Sequence, residues 1–181
     1  SGCNPLTSGI LMDKNFTKII ARENGVKTAN WAIVKSVDAI DYDKIDEIGY
    51  PVFIKPNSGG SSVATNLVKS KDQVESAVIE AFKYDDIVMI EEYIKGVEHT
   101  SFILNGEVFP TIRITSDHEF FDYEAKYSTS NGAREEVVEL EETVAKTLED
   151  TSRTCLDIYN CSGYVRADYI ITEDNQVYLL E

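Results

Sequence analysis

The chain has 181 residues, 43% of them hydrophobic and 27% charged, enough to bury a core as one large domain or two small lobes and too apolar for a disordered chain. A formal charge of −15 argues against a nucleic-acid partner, whose phosphates call for basic surface. It leaves room for a small phosphorylated ligand, whose charge a few local lysines and a metal ion can meet. No apolar run nears the roughly 18 residues of a membrane span. The N-terminus lacks a secretion signal's apolar stretch, so the expectation is a cytoplasmic protein without a membrane partner. Cys3, Cys155 and Cys161 show no CxxC spacing and read as free thiols in a reducing compartment.

Ser1 to Pro5 reads as cut from something longer. Asp13 to Asn24 spaces Phe16, Ile19 and Ile20 as a helix closing on Gly25. Trp31 to Val34 and Val52 to Lys55 read as strands, with a short acidic helix from Asp43 to Ile48 between them. Ser70 to Tyr84 repeats Val74, Val78, Ile79 and Phe82 as one helical stripe, and Ile87 to Glu91 is a compact buried strand. His99 to Leu104 and Glu107 to Ile114 flank Asn105-Gly106, a strong hairpin signal. A helix from about Leu140 to Tyr159 precedes a last hairpin, Gly163 to Thr172 and Gln176 to Glu181. A helix-and-sheet half thus gives way near Gly96 to an antiparallel half. The class is α+β in two lobes.

With Asp174-Asn175 as a two-residue loop, the last hairpin sets Asp168 opposite Glu181, Ile170 opposite Leu179 and Thr172 opposite Val177. Opposed side chains stand about 5 Å apart, where like charges repel. Arg166 shares their face, since side chains repeat every second residue. Val165, Ala167, Tyr169, Ile171, Tyr178 and Leu180 make the other face apolar. Carboxylates paired on an interior strand need a cation, and Mg²⁺ takes one or two carboxylates together with substrate phosphates. A strand end in solvent, with Arg166 in an ordinary ion pair, is the other reading.

Pro56 to Ser62 departs from the GxxxxGK[ST] phosphate loop and lies between strands rather than before a helix. Gly59, Gly60, Ser61 and Ser62 either fold over phosphates through backbone N–H groups and hydroxyls, or form a plain hairpin tip. Lys55 lies in an apolar strand, where an ammonium is costly unless an anion meets it. Lys14 starts a helix. Lys126 lies among Phe120, Phe121, Tyr123 and Tyr127. Backbone groups of Glu91, Glu92, Tyr93 and Ile94 are placed to pair with an adenine edge, and Glu98 to accept from ribose hydroxyls. A plain strand end with solvated acids is the alternative.

Met12-Asp13-Lys14, the Gly49 to Val63 segment, Glu91 to Glu98, Asp122-Tyr123-Glu124-Ala125-Lys126-Tyr127, and Arg166-Ala167-Asp168 with Glu181 occur in the order found in ATP-grasp ligases. The set resembles the D-alanine–D-alanine ligases and the related D-Ala–D-Ser ligases of vancomycin resistance. The resemblance implies an ATP-grasp fold with the nucleotide cleft between two lobes, over 1–97 and 98–181. It implies ATP-dependent joining of D-alanine to a second D-amino acid for peptidoglycan precursors. By position, Lys14 and Lys55 would hold ATP phosphates, Glu91, Glu92, Tyr93, Ile94 and Glu98 the adenosine, and Phe120 would pack on adenine. Ser61 and Lys126 would close over the transferring phosphate. Arg166 would stabilise the tetrahedral intermediate, and Asp168 and Glu181 would bind Mg²⁺ (or Mn²⁺). Tyr127, where D-lactate-using relatives tend to carry histidine, goes with an amine as second substrate. The full-length protein would be a cytoplasmic homodimer.

Ser58-Gly59 replaces bulkier, charged residues of the family, and Ala64 stands where glycine is common. The family pattern also holds an N-terminal domain for the first D-alanine and an asparagine after the last carboxylate. Neither is present in these 181 residues, so a fragment lacking ligase activity on its own is the expectation. Two further readings stand. Another ATP-grasp carboxylate–amine ligase would share Lys55, Asp168 and Glu181 without needing Asp122 to Tyr127. A nucleotide-sensing module would not need Arg166 and Lys126.

Overall fold

Asp13 ends one helix, α1 (Pro5–Met12), and begins the next, α2 (Lys14–Glu23), in a computed structural model that describes residues 2–115 and 134–181. Its side chain accepts from the Phe16 N–H at 2.9 Å, satisfying one of the helix's unpaired first-turn donors. α1 begins at Pro5, where the stretch read as a cut end stops, and the sequence reading had no helix there. Its start has ordinary helix chemistry, with Asn4 capping the Thr7 N–H at 3.0 Å and Pro5 in the first position.

The chain divides into two units. One, residues 29–93, has a four-stranded antiparallel sheet in the order β1-β4-β2-β3. Its elements run β1 (Trp31–Val34), α3 (Tyr42–Ile48), β2 (Val52–Pro56), β3 (Asn66–Val68), α4 (Val74–Ala81) and β4 (Val88–Glu92). Val52, Ile54, Val88 and Ile90 are fully buried with Ile45, Val74, Val78 and Ala81 of the helices. Each buried valine or isoleucine contributes about 1.5–3 kcal/mol, so a one-residue slip of β2, which would expose Val52 and Ile54, is strongly disfavoured. That alternation puts Phe53 and Lys55 on the opposite face. The expected helical stripe needs one correction: Val74, Ala77, Val78 and Ala81 are buried while Ile79 is exposed. Ile79 follows Val78 and so sits about 100° round the helix from it.

The second unit takes in residues 2–28, 94–115 and 134–181 among those described. It contains α1, α2, β5 (Val97–Leu104), β6 (Glu107–Val108), β7 (Ile112–Thr115), β8 (Arg134–Val137), α5 (Glu142–Ile158), β9 (Tyr164–Ile171) and β10 (Val177–Leu179). The strands are ordered β10-β9-β5-β7-β8, with β6 also on β5. Asn105 and Gly106 both take positive φ, 51° and 86°, as the favoured two-residue hairpin turn requires. The first unit ends at Tyr93, and residues 2–28 pack with the later unit. The reason is a set of polar ties: Thr7 Oγ1 donates to the Tyr159 carbonyl at 2.8 Å, Tyr159 OH to the Thr17 carbonyl at 2.6 Å, and Leu179 N–H to the Lys27 carbonyl at 2.8 Å.

Among the described residues no helix is long and apolar enough to cross a membrane. All three cysteines are free. Burial pushes the Cys155 thiol up to about 12, and burial followed by the neighbouring Cys3 does the same for Cys161. Near pH 8 both thiols are held in the protonated form, and the thiolate is the reactive one. An aromatic disulfide reagent is therefore expected to leave Cys155 and Cys161 unmodified in the folded protein and to label all three once it is denatured. Fast native labelling of either would contradict its raised thiol pKa.

Candidate functional site

Lys55 and Glu91 meet on the face of the first sheet that α3 and α4 leave uncovered. Lys55 pairs with Met89 across β2 and β4, and Glu91 is its diagonal neighbour. That diagonal is within reach of long side chains, and Lys55 Nζ donates to Glu91 Oε2 at 2.5 Å. The side chains are 11% and 3% exposed. The anion that the buried ammonium needs is therefore a carboxylate of the same unit, a role for the Glu91 side chain that sequence reasoning missed.

Between β2 and β3 runs a loop in left-handed backbone, with positive φ at Gly59, Ser61, Ser62 and Ala64. For residues other than glycine such a conformation costs about 1–3 kcal/mol each and clusters at ligand-holding loops. Ala64, at φ 51°, sits where a glycine would relieve strain. The base of the loop is fastened by Asp85, which accepts from the Ser58 N–H at 2.6 Å and the Ile87 N–H at 3.1 Å. Ser61 is exposed at the tip. Left-handed turns of this kind are where backbone N–H groups form anion-binding concavities.

The other unit gathers Arg166, Asp168, Glu181 and Lys14. Asp168 is 7% exposed and pairs with Thr100 across β9 and β5. Its Oδ1 accepts from Thr100 Oγ1 at 2.6 Å, and Arg166 donates to both its oxygens, Nε at 3.0 Å and Nη2 at 2.7 Å. Burial disfavours the Arg166 charge. Asp168, then Glu181 and Glu98, outweigh that and raise the guanidinium above its ordinary range. Thr100 escaped sequence reasoning because its place opposite Asp168 follows only from a pairing of distant strands.

The last hairpin corrects the expected register by one residue. Val177 pairs with Ile171, Tyr178 with Ile170 and Leu179 with Tyr169. The loop is Glu173-Asp174-Asn175, with Thr172 N–H donating to the Gln176 carbonyl at 3.0 Å and Asn175 at φ 63°. A three-residue loop ending in a left-handed residue is the next commonest hairpin connection. Val177 and Leu179 therefore face the core, not Tyr178 and Leu180. Glu181 still reaches Asp168, through a bulge. Leu180 and Glu181 N–H groups both donate to the Asp168 carbonyl, at 2.8 and 3.3 Å, while Asp168 N–H donates to the Glu181 carbonyl at 2.8 Å. Two residues opposite one re-aim the side chains of the bulged strand. The Glu181 carboxylate lies 3.8 Å from Lys14 Nζ.

Lys14 is the first residue of α2, where a helix dipole disfavours a cation. Its ion pair with half-exposed Glu181 contributes little to stability. Such a placement is unhelpful to folding and useful for holding an anion. The two carboxylates offer the hard oxygen donors that Mg²⁺ takes. Among the described residues no three His, Cys, Asp or Glu side chains gather as a metal site.

The proposed adenosine segment divides. Glu91, Glu92 and Tyr93 belong to the first unit, Ile94 and Glu98 to the second. Glu92 Oε2 accepts from the Asn30 N–H at 2.9 Å and Nδ2 at 2.8 Å, and Tyr93 packs edge-on against Phe53 with ring centroids 5.6 Å apart. Gly96 fits only as glycine, since a Cβ there would stand 2.5 Å from the Ile171 carbonyl oxygen. That close approach sets where β5, with Glu98, begins. Phe120, Lys126 and Tyr127, with the rest of Asp122 to Tyr127, lie outside the described residues.

A family model described as the D-ala D-ala ligase C-terminus matches residues 20–181. A D-alanine–D-alanine ligase of Clostridium botulinum (strain Hall) is 52% identical over 181 residues, covering 100% of this chain and 60% of that protein. The D-alanine–D-alanine ligase of Bacillus anthracis complexed with ATP superposes with a TM-score of 0.86 at 36% identity, over 100% of this chain and 57% of its own. The VanG D-Ala:D-Ser ligase of Enterococcus faecalis gives 0.85 at 26%, over 99% and 57%. The chain thus spans about 60% of the length of the curated relatives it matches. The fold is that of the ATP-grasp ligases.

Proposed function

The chain belongs to the D-alanine–D-alanine ligase C-terminal family, and from that membership we propose that it carries the ATP-binding machinery of a ligase joining D-alanine to a second D-amino acid. The observation that carries this reading is the bulged edge of β9 and β10, which brings Asp168 and Glu181 together beside Arg166 and Lys14. Lys14 and Lys55 hold the phosphates of ATP. Backbone groups of Glu91, Glu92, Tyr93 and Ile94 hold the adenine and Glu98 the ribose, and the family resemblance assigns Phe120 to the base. Asp168 and Glu181 would hold Mg²⁺ (or Mn²⁺), which would supply positive charge to neutralise the phosphates.

The D-alanine carboxylate oxygen attacks the γ-phosphorus of ATP, and the bond to ADP breaks. Ser61 and Lys126 close over the transferring phosphate. The amine of the second D-amino acid then attacks the acyl carbon, the tetrahedral oxyanion forms beside Arg166, and phosphate leaves as the amine gives up its proton. Fixed positive charge and held geometry are where such transfers gain most. Tyr127 favours an amine as second substrate and leaves D-Ala and D-Ser both open. A cytoplasmic homodimer supplying peptidoglycan precursors goes with this reading.

The test is ADP release by a full-length enzyme containing this sequence, across a panel of amino acids with Mg²⁺ and ATP. Release that depends on D-alanine is expected, with a D-alanyl dipeptide as product. Release driven by another carboxylic acid and indifferent to D-alanine would instead favour a different ATP-grasp carboxylate–amine ligase.

A further inference from the structure

Lys18 lies one turn along α2 from Lys14 and on the same face, and it is 4% exposed. Its Nζ donates to Thr28 Oγ1 at 2.6 Å. A buried ammonium is costly to desolvate, and a methionine would fill much of the same space without that cost. Its place is therefore set by what it holds. Thr28 forms a bridge with Leu179 of β10, and the neighbouring Lys27 carbonyl accepts from the Leu179 N–H at 2.8 Å. Two residues beyond Leu179 stands Glu181, whose carboxylate is 3.8 Å from Lys14. The contacts close a ring: from α2 through Lys18 to Thr28, on to β10 and Glu181, and back through Lys14 to α2.

We propose that Lys18 is a positioning residue for the phosphate and metal site, fixing Lys14 and Glu181 relative to each other by tying α2 to β10 through Thr28. The proposal rests on the roles assigned above to Lys14 and Glu181. Two other ties also hold α2. Tyr159 OH fastens the Thr17 carbonyl to α5 at 2.6 Å, and Arg22 Nη2 reaches the Thr28 carbonyl at 3.5 Å. Arg22 and Lys18 thus both reach Thr28, Lys18 from one turn beyond Lys14 and through the threonine hydroxyl at the shorter distance.

The experiment uses the full-length enzyme with Lys18→Met, Lys18→Arg, Thr28→Val and the Lys18→Met/Thr28→Val double variant. It measures kcat and KM for MgATP, and hydrogen exchange of the Leu179 amide without nucleotide. Lys18→Met and Thr28→Val are each expected to raise KM about 10-fold with a smaller change in kcat. Leu179 exchange quickens in both. The double variant is no worse than Lys18→Met alone, because both substitutions cut one tie, and Lys18→Arg recovers most of the KM. Additive effects, or faster exchange with an unmoved KM, would reduce Lys18 to a structural lysine and overturn the proposal. Should Lys18→Met fail to fold, Thr28→Val decides alone, and an unchanged KM there overturns it. A wild-type enzyme indifferent to D-alanine sinks the ligase reading instead. MgATP affinity by calorimetry then decides Lys18 by the same comparison.

Discussion

Lys55→Ala is expected to abolish ATP binding and to destabilise the protein at the same time. Lys55 and Glu91 form a pair 2.5 Å apart with side chains 11% and 3% exposed, so truncating the lysine takes a cation away from a carboxylate in a poorly hydrated place. Breaking a buried pair from one side costs about 3–5 kcal/mol, which at roughly 2–4 °C per kcal/mol for a chain of this size is a melting shift of about 6–20 °C. Lost binding and lost stability must therefore be separated. Lys55→Met with Glu91→Gln removes both charges and keeps the volume, and such replacements are often neutral or stabilising. The double variant should melt near the wild type and still fail to bind ATP in a calorimetric titration of the full-length enzyme. Wild-type affinity in the double variant would remove Lys55 from the phosphate site and leave it as half of a structural ion pair.

The same pair shows what a linear sequence can and cannot reveal. Val52 to Lys55 and Ile87 to Glu91 were legible as buried strands, because continuous apolar runs bounded by turn residues have few other uses. Asn105-Gly106 was legible because only a few residues tolerate the φ values its turn demands. That Lys55 finds Glu91 was not legible, since they are 36 positions apart and the pairing of β2 with β4 brings them together. Thr100 under Asp168 is hidden for the same reason, across 68 positions. β3 and β8 went unread on other grounds. β3 is three residues long, and every residue of β8 (Arg134–Val137) is exposed, so neither shows the alternation by which a half-buried strand is recognised. The Ser58 to Ser62 loop was ambiguous as a string of small residues. It gained meaning from its left-handed backbone and the Asp85 clamp.

Asp168→Asn is expected to leave the fold standing and to raise the Mg²⁺ concentration needed for half-maximal turnover by at least about 10-fold, the loss typical of disturbing a group that supports a metal site. Asparagine retains one side-chain carbonyl to accept from Thr100 Oγ1, now at 2.6 Å from Asp168, so the β5–β9 contact survives. It loses the charge and the second oxygen that Arg166 grips through Nε and Nη2. Freed of that grip, the guanidinium, 55% exposed, no longer has the fixed orientation that its proposed role beside an oxyanion needs. The expected signature is a joint change: weaker Mg²⁺ activation in a titration at saturating ATP, and a lower kcat that excess Mg²⁺ does not fully restore. The bulge makes the comparison with Glu181→Gln informative. Glu181 is half-exposed and joined only loosely to Lys14, so its substitution should weaken Mg²⁺ activation without the residual fall in kcat. If Asp168→Asn turned over normally at low Mg²⁺, the bulged edge would be an ion-pair network serving the fold, and the metal would have to be held elsewhere.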